Sequence, residues 1–284
     1  METNDKLFLS AFADEAGSTL EEQIDALVAN KIPYIELRGV NGKNISDHTP
    51  AEAKAVADTL AAHGIKVWSV GSPIGKVRLS DDFEKELSRF ENTLAIAKAT
   101  GAKCIRLFSF FDADALGADA KAEVIRRLQA FCNAAEGSGI ILCHENEKGI
   151  YGETAENCKK VISRYDGALK AVFDMGNFTL EKHNPQSAYE ILRDDIAYFH
   201  IKDALGAGAI VPAGKGEAKI YEILSDYARY GDGEIFVALE PHLQTFDGLN
   251  ALTSAKFDNP YKYENQRRAF DDAVAKFKEI LLKI

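Results

Sequence analysis

The chain has 284 residues, of which 46% are hydrophobic and 27% are charged, a composition that is typical of a globular protein and excludes intrinsic disorder as its main character. Its 44 acidic and 34 basic residues give a formal net charge of −10, which repels phosphate backbones and anionic membranes, so we expect neither nucleic acid nor a membrane as partner. The four cysteines form no Cys-x-x-Cys pair, and the first residues lack the pattern of a signal peptide, so we expect a cytoplasmic protein.

Eight short apolar runs of the kind that form strands recur along the chain, and helical patterns of about ten to twenty residues separate them. This alternation predicts parallel strands joined by helices rather than by hairpins. Several runs are apolar throughout, as expected for strands that are covered on both faces. The predicted strands are, in chain order, Leu7 to Ala13, Tyr34 to Arg38, Lys66 to Val70, Cys104 to Ser109, Ile140 to Glu145, Leu169 to Asp174, Ala197 to Lys202 and Ile235 to Glu240.

Several helix starts can be read from their capping residues. The stretch Thr49 to Glu52 contains a capping threonine, a proline that fits the first turn and a glutamate that completes a capping box. Ser18-x-x-Glu21 and Asn184-Pro185 predict two further helix starts in the same way. The helical patterns are therefore bounded by local signals as well as by periodicity.

Eight strand and helix units in a chain close to the roughly 250 residues of one (β/α)₈ barrel predict an α/β TIM barrel as a single domain over residues 1–284. A doubly wound sheet is the rival, but the first turn, Phe12 to Gly17, has no Gly-x-Gly-x-x-Gly. A long excursion at about residues 241–263 follows the eighth strand. Within it, Gly248 to Tyr263 is our candidate for covering the barrel mouth of this chain or of a neighbour in a homo-oligomer.

Four of the apolar runs end in a residue that can bind metal. These residues are Glu145, Asp174, His200 and Glu240. The carboxyl ends of barrel strands converge on one mouth, so we expect the four side chains to meet there. Three carboxylates at one point repel one another unless a cation compensates them, and a mixed nitrogen and oxygen shell suits Mn²⁺, Mg²⁺, Co²⁺ or Zn²⁺. We therefore infer one divalent metal ion.

Five motifs in a fixed order give the chain a family resemblance. They are His144 to Glu147, Phe173 to Asn177, Phe199 to Asp203, Pro212 to Glu217 and Leu239 to Pro241. Across essentially its whole length, the chain resembles the xylose isomerase-like TIM barrel superfamily of sugar phosphate isomerases and epimerases. The resemblance implies a metal held by Glu145, Asp174, His200 and Glu240. It also implies that the two glutamates are the catalytic acid and base.

The chemistry behind such a pair can be stated independently of the resemblance. Removal of a proton beside a carbonyl creates an enediolate, whose charge a metal ion stabilises as it develops. A carboxylate on each side of that plane, here Glu145 and Glu240, can abstract the proton on one face and return it on the other. The sequence thus predicts a divalent-metal-dependent isomerase or epimerase that acts on a small sugar or sugar derivative.

Seven residues are candidates for contacting the substrate, and several have a second interpretation. They are His144, Asn177, Arg106, Lys202, Lys215, His183 and Glu147. Asn177 stands where many relatives have a histidine, and an amide can hydrogen-bond but cannot carry a proton. Arg106 and Lys202 could instead neutralise the acidic mouth, and Lys215 could be a merely exposed loop lysine. A regular pleat turns His144 away from the face that carries its neighbour. For Glu36, near the end of the second strand, contact with the site and pairing near Arg38 both remain open.

Three other functions are compatible with the same barrel. The main alternative is a metal-dependent lyase on a keto-sugar, of the dehydratase or C-glycoside-cleaving type, for which His144 would suit as an additional acid or base. An endonuclease for abasic DNA is disfavoured by the acidic charge and by the single histidine among the four core residues. A non-catalytic sugar-binding barrel would bind metal without moving a proton.

Overall fold

The computed structural model describes residues 6–113, 117–206, 208–231, 233–244 and 261–284. Eight parallel strands, which we number β1 to β8 in chain order, form a closed barrel in which each strand pairs with the next and β8 pairs with β1. Their bounds are Leu7–Ala11, Tyr34–Leu37, Lys66–Gly71, Cys104–Leu107, Ile141–Glu145, Leu169–Asp174, Ile196–Ile201 and Ile235–Leu239. The predicted TIM barrel is confirmed, with strand ends that differ from the prediction by at most two residues.

Helices connect successive strands and cover the outside of the barrel. The α-helices are α1 Leu20–Ala29, α2 Pro50–Ala62, α3 Phe83–Thr100, α4 Ala118–Ala135, α5 Ala155–Ile162, α6 Met175–Leu180, α7 Pro185–Leu192, α8 Ile220–Tyr230 and α9 Gln266–Leu281. Single 3₁₀ turns lie at Ala13–Glu15, Ile45–Asp47, Tyr151–Glu153 and Arg193–Asp195, and two small hairpins pair Gly39–Val40 with Lys43–Asn44 and Asp203–Ala204 with Ile210–Val211. In the described ranges, no helix combines the length and the apolar character needed to cross a bilayer.

The predicted excursion after β8 is described only at its two ends. Of residues 241–263, those numbered 245–260 lie outside the described residues. The proposed cover of the mouth, Gly248 to Tyr263, falls almost wholly within that gap.

The capping residues explain where the helices begin. Thr49 and Glu52 form the predicted capping box at α2, and Asn184 caps α7 just before a proline. At α1 the prediction was one residue early, because the box is formed by Thr19 and Glu22 instead of the preceding pair with the same spacing. The side chain of Asn41 accepts the N–H of the first helical residue, which leaves Thr19 as the cap.

The barrel interior is apolar towards the amino ends of the strands and charged towards their carboxyl ends. Alternate residues of each strand point inward, and the lower interior is filled by packed side chains such as Trp68, which stacks on Phe236 with ring centroids 3.5 Å apart. The next inward positions towards the carboxyl ends are charged. The inward-facing buried cluster comprises Cys104, Cys143, Val172, Tyr198, Phe236 and Ala238. This apolar layer supports the charged residues from beneath.

Two glycines with the same backbone conformation give a stability test of the loop beside β4. Gly75 has a φ of 78°, and a Cβ there would lie 2.1 Å from the carbonyl oxygen of Phe108, whereas at Gly101, with a φ of 75°, a Cβ would meet no described atom within 4 Å. Because the left-handed conformation costs an L-residue ~1–2 kcal/mol, Gly101→Ala should lower the free energy of unfolding by about that amount. Gly75→Ala should lose about 1–3 kcal/mol more from the overlap. Urea unfolding measures both, and equal losses would contradict the packing described here.

Candidate functional site

Four side chains, one each from β5, β6 and β7 and one from the residue after β8, meet at the carboxyl end of the barrel. One ligand-capable atom from each of Glu145, Asp174, His200 and Glu240 lies within 4.8 Å of the corresponding atoms of the others, and all four residues are buried. They meet because each occupies the last inward-facing position of its strand or the position just beyond it. The fold thus brings together the four strand-end residues predicted from the sequence.

His200 is oriented by carboxylates on both sides of its ring. Nδ1 faces the cluster, at 3.1 Å from Oε1 of Glu145 and 3.4 Å from Oε2 of Glu240. Nε2 lies 3.1 Å from Oε2 of Glu36, and Oε1 of Glu36 accepts a hydrogen bond from the hydroxyl of Tyr198 at 2.8 Å. Burial lowers the pKa of His200, but the charges of Glu145 and Glu36 outweigh it and raise the pKa well above its usual value. Glu36, whose role the sequence left open, therefore anchors the histidine from the side opposite the cluster.

Glu145 is held by an arginine and an asparagine. Nη1 of Arg106 donates to Oε2 at 3.1 Å, and Nδ2 of Asn177 donates to Oε1 at 3.3 Å. Burial raises the pKa of Glu145, yet the charges of His200 and Arg106 lower it to about 2. Glu145 is therefore an ionised carboxylate in a fixed orientation, with Oε1 directed at the histidine.

Asp174 links the end of β6 to the start of α6. Its Oδ1 caps the helix by accepting the N–H of Asn177 at 2.8 Å, while Oδ2 accepts from Nζ of Lys202 at 2.8 Å. The lysine stem passes so close that a Cβ on Gly176 would lie 2.7 Å from it, so only glycine fits there. Asn146 fixes the strand ends, because its side chain both accepts the N–H and donates to the carbonyl of Asp174.

Asp174 and Glu240 share one ammonium group. Nζ of Lys202 donates to Oε2 of Glu240 at 3.1 Å as well as to Asp174, and its third contact is Oδ1 of Asn177 at 3.0 Å. Burial raises the pKa of Asp174 to about 6, because the shared lysine only partly offsets it. Burial also raises the pKa of Glu240, but the charges of Lys202 and His242 outweigh this effect and hold the pKa well below the usual value. The two carboxylates thus differ in basicity although they bind the same lysine.

The charge balance of this network favours a bound cation. Among the described residues, the hydrogen-bonded network at the mouth contains more buried carboxylates than permanent cations. The carboxylates are Asp14, Glu15, Glu36, Glu145, Asp174 and Glu240, and the cations are Arg38, Arg106 and Lys202. Burial raises the pKa of Glu15 to about 8, so this carboxyl is largely protonated near pH 7. With Glu15 neutral and His200 protonated, five carboxylates still face four cations, and buried like charges are costly unless they are compensated.

The distances between the four donor atoms also fit a single divalent ion. Ligand bonds of ~2.2 Å place two ligands at most about 4.4 Å apart around one ion. The four donor atoms lie within 4.8 Å of one another, so shifts of a few tenths of an ångström would close the shell. One imidazole with three carboxylates suits Mn²⁺, Mg²⁺, Co²⁺ or Zn²⁺.

Two aromatic rings support the cations of the mouth and were missed in the sequence. The guanidinium carbons of Arg38 and Arg106 lie 4.3 Å and 5.2 Å from the ring centre of Phe12. The ring centre of Phe108 lies 4.9 Å from the guanidinium carbon of Arg106 and 4.8 Å from Nζ of Lys76. Both rings follow directly after the observed strands β1 and β4. They lie inside the predicted strands, where an apolar residue resembles ordinary core.

The predicted substrate contacts fall into two groups. Asn177, Arg106 and Lys202 contact the four central residues. Glu147 lies farther out and pairs with Lys76 at 2.7 Å, with part of its side chain exposed. No contact between described residues joins His183 or Lys215 to the four. His183 lines a surface cleft and lies 4.0 Å from a carboxylate of Glu153, and Lys215 is exposed on the loop after β7, where its charge acts on Glu279.

His144 does not face the mouth, contrary to its inclusion among the predicted substrate contacts. It occupies the opposite face of β5 from Glu145, as the regular pleat requires. Its Nε2 contacts the hydroxyl of Ser109 at 2.9 Å, and a Cβ on Gly152 would lie 2.2 Å from its ring. Burial lowers the pKa of His144 to about 4, so the ring is a neutral packing group between the barrel and the α5 side.

Four residues near the mouth are not among the site residues predicted from the sequence. Asp14 and Glu15 follow β1, Arg38 follows β2 and His242 follows β8. Arg38 binds both oxygens of Asp14 at 2.8 Å and 2.9 Å and Oε1 of Glu240 at 2.8 Å. The signal that identified the central four, a polar residue at a strand end, would have found these residues if it had been applied to every strand.

A family model described as xylose isomerase-like TIM barrel matches residues 24–272, a range that extends from α1 to α9. A search of curated proteins found no match. The matched range includes β2 to β8, and β1 lies before it.

Solved structures of the same fold cover nearly the whole chain. One is the probable 3-DHS dehydratase AsbF from Bacillus anthracis, with 17% identity, a TM-score of 0.71 and coverage of 98% of this chain and 99% of that chain. The IolI protein, solved with a zinc atom, has 16% identity, a TM-score of 0.71 and coverage of 97% and 98%. The 3-keto-D-glucoside 4-epimerase YcjR from E. coli has 16% identity, a TM-score of 0.68 and coverage of 96% and 99%. At these identities the likeness shows a common fold.

The buried pair of Arg106 and Glu145 can be tested by removing one charge and then both. Arg106→Met leaves a buried carboxylate without its arginine, and we expect it to lower the free energy of unfolding by about 3–5 kcal/mol in the presence of a chelator. Adding Glu145→Gln should recover at least about 1 kcal/mol of that loss. Arg126→Met is the matched control, because its pair with Glu123 is largely exposed and should contribute about 0–1 kcal/mol. Similar losses for both arginines would contradict the electrostatic description of the mouth.

Proposed function

Since the chain belongs to the xylose isomerase-like TIM barrel family, we propose that it is a divalent-metal-dependent isomerase or epimerase acting on a small sugar or keto-sugar. One observation carries the proposal: Glu145, Asp174, His200 and Glu240 converge within 4.8 Å in a buried site with excess negative charge. Such a site suits a reaction in which a proton moves beside a carbonyl, because that reaction needs both a cation and bases.

The four central residues would hold the metal ion. When bound, a divalent ion would polarise the substrate carbonyl and offset the negative charge that develops beside it. Glu36 would keep the ring of His200 in place, since it binds Nε2 at 3.1 Å while Nδ1 faces the cluster. Mn²⁺, Mg²⁺, Co²⁺ and Zn²⁺ all match this donor set.

Glu145 and Glu240 are the proposed acid and base. They approach the cluster from β5 and from the end of β8, with Nδ1 of His200 at 3.1 Å and 3.4 Å from their nearer oxygens. In each carboxylate an arginine binds the other oxygen, Arg106 in Glu145 and Arg38 in Glu240. One oxygen of each therefore faces the cluster in a fixed direction. A substrate bound between them would lose the proton beside its carbonyl to one carboxylate and become planar at that carbon. The other glutamate, acting as the acid, would then donate a proton on the opposite face, which inverts the configuration at that carbon.

Lys202 and Asn177 are the proposed contacts to substrate oxygens. They are hydrogen-bonded to each other at 3.0 Å and reach Asp174 and Glu145 respectively. The lysine supplies a positive charge, whereas the amide of Asn177 can donate and accept hydrogen bonds but cannot carry a proton. Proton transfer is therefore assigned to the two glutamates.

The lyase alternative loses the residue that favoured it. A dehydratase or a C-glycoside-cleaving enzyme would use a further acid or base to assist the leaving group, and His144 was the candidate for that task. His144 contacts Ser109 on the outer face of β5, so it cannot exchange a proton with a substrate beside Glu145. Isomerisation or epimerisation requires only the groups that face the mouth.

Removal of a central donor should remove the metal. We expect Asp174→Ala and His200→Ala to bind Mn²⁺ far more weakly, by more than the about 10–100-fold that loss of a supporting residue alone costs. Elemental analysis after equilibrium dialysis measures the metal content, and circular dichroism checks the fold. Glu147→Ala is the control, because that residue lies outside the four and pairs with Lys76. Unchanged metal content in both central variants would refute the proposed ligand set.

Glu240→Gln separates proton transfer from metal binding. We expect this variant to retain most of its metal but to lose about 10²–10⁴-fold in turnover, because the amide cannot accept the proton. The assay incubates metal-loaded protein with a panel of ketoses and 3-keto-glucosides in D₂O and follows the substrate C–H signals by NMR. Wild-type protein should exchange a proton without releasing a leaving group. Release of water or of a glycosyl group at the same rate would favour the lyase instead.

A further inference from the structure

A second group of metal-binding residue types shares Glu240 with the central four. One ligand-capable atom each from Glu15, Glu240 and His242 lies within 4.8 Å of the others, and all three residues are buried. Nε2 of His242 is 3.4 Å from Oε1 of Glu15 and 3.4 Å from Oε1 of Glu240. The backbone of His242 adopts a left-handed φ of 46°, and its N–H donates to Oε2 of Glu15 at 2.7 Å. These residues face the second oxygen of Glu240, the one directed away from His200.

The guanidinium of Arg38 already occupies this second group. Nη1 donates to Oε1 of Glu240 at 2.8 Å, and Nη2 lies 3.3 Å from Oε1 of Glu15. Nε and Nη2 hold both oxygens of Asp14 at 2.8 Å and 2.9 Å, and the guanidinium carbon lies 4.3 Å from the ring centre of Phe12. Arg38 is 2% exposed, and a guanidinium stays charged at any working pH, so the position holds a permanent cation.

We propose that Arg38 determines the metal number of the centre, by filling the Glu15, Glu240 and His242 group with a guanidinium and so restricting the mouth to one divalent ion. The proposal depends on the metal centre proposed above. Arg38 binds one oxygen of Glu240, and the other oxygen remains directed at the central four. The arginine is thus a specificity-determining residue that divides Glu240 between an internal cation and the metal.

The number of metal ions at the mouth affects which reaction the site can catalyse. Two ions about 3.5–4 Å apart that share a carboxylate suit in-line displacement at phosphorus, because they stabilise the attacking and leaving oxygens together. Proton transfer beside a carbonyl needs only one ion, with free carboxylates beside it. By occupying the second position, Arg38 favours proton transfer over phosphoester hydrolysis in a mouth that otherwise has donors for two ions.

The test counts metal ions in variants of Arg38. Full-length wild-type protein, Arg38→Ala and Arg38→Lys are equilibrated with Mn²⁺, and the bound metal per chain is measured. Wild type and Arg38→Lys, which keeps a cation, should bind one ion. Arg38→Ala should bind two, and the electron paramagnetic resonance spectrum should show an exchange-coupled Mn²⁺ pair. A purely structural role for Arg38 would not produce that signal.

Further variants keep every outcome decisive. Arg38→Ala/His242→Ala should return to one ion, and two ions in this double variant would overturn the assignment of the second position. One ion in Arg38→Ala, or two ions in wild type, would overturn the proposal while leaving the central site intact. If Arg38→Ala does not fold, Arg38→Gln, which is also neutral, answers the same question. Absence of metal from wild type would refute the proposed function itself, a result distinct from all of these.

Discussion

The crowding of buried carboxylates at the carboxyl end of the barrel is the constraint on which the site depends. A closed eight-stranded sheet forces the last inward positions of its strands together, and here four residues at these strand ends, Glu36, Glu145, Asp174 and Glu240, are acidic and buried. Buried anions persist only where cations or hydrogen bonds compensate them. Arg38, Arg106 and Lys202 supply part of that compensation. A metal ion at the four central donors would supply the remainder, so electrostatics and the proposed chemistry make the same demand.

Each barrel strand has an inward face and an outward face with different roles, and successive residues alternate between the two faces. Along β5, Cys143 fills the barrel interior and Glu145 faces the mouth, while His144 between them packs outward against the helical layer. The same alternation gives β7 its buried Tyr198 below His200. An inward residue near the mouth is therefore available for chemistry. An outward neighbour contributes packing, whatever its chemical type.

Much of the fold and the centre of the site could be predicted from the sequence, because both follow from periodicity and strand ends. Eight apolar runs located the strands, and the polar residues at their ends gave Glu145, Asp174, His200 and Glu240. Contacts between distant segments could not be predicted. The pairing of Arg38 with Glu240 joins residues 202 positions apart, and no local pattern encodes it. Where spacing allows two solutions, as at the α1 capping box, tertiary contacts decide between them.

The proposed metal centre holds one divalent ion among the four converging donors. An anomalous-difference map from crystals of the Mn²⁺-loaded protein would locate that ion. We expect a single strong peak within bonding distance of Glu145, Asp174, Nδ1 of His200 and Glu240, with Glu36 still bound to Nε2 of the histidine. A peak elsewhere on the molecule, or no peak at the mouth in fully loaded crystals, would rule out this metal centre.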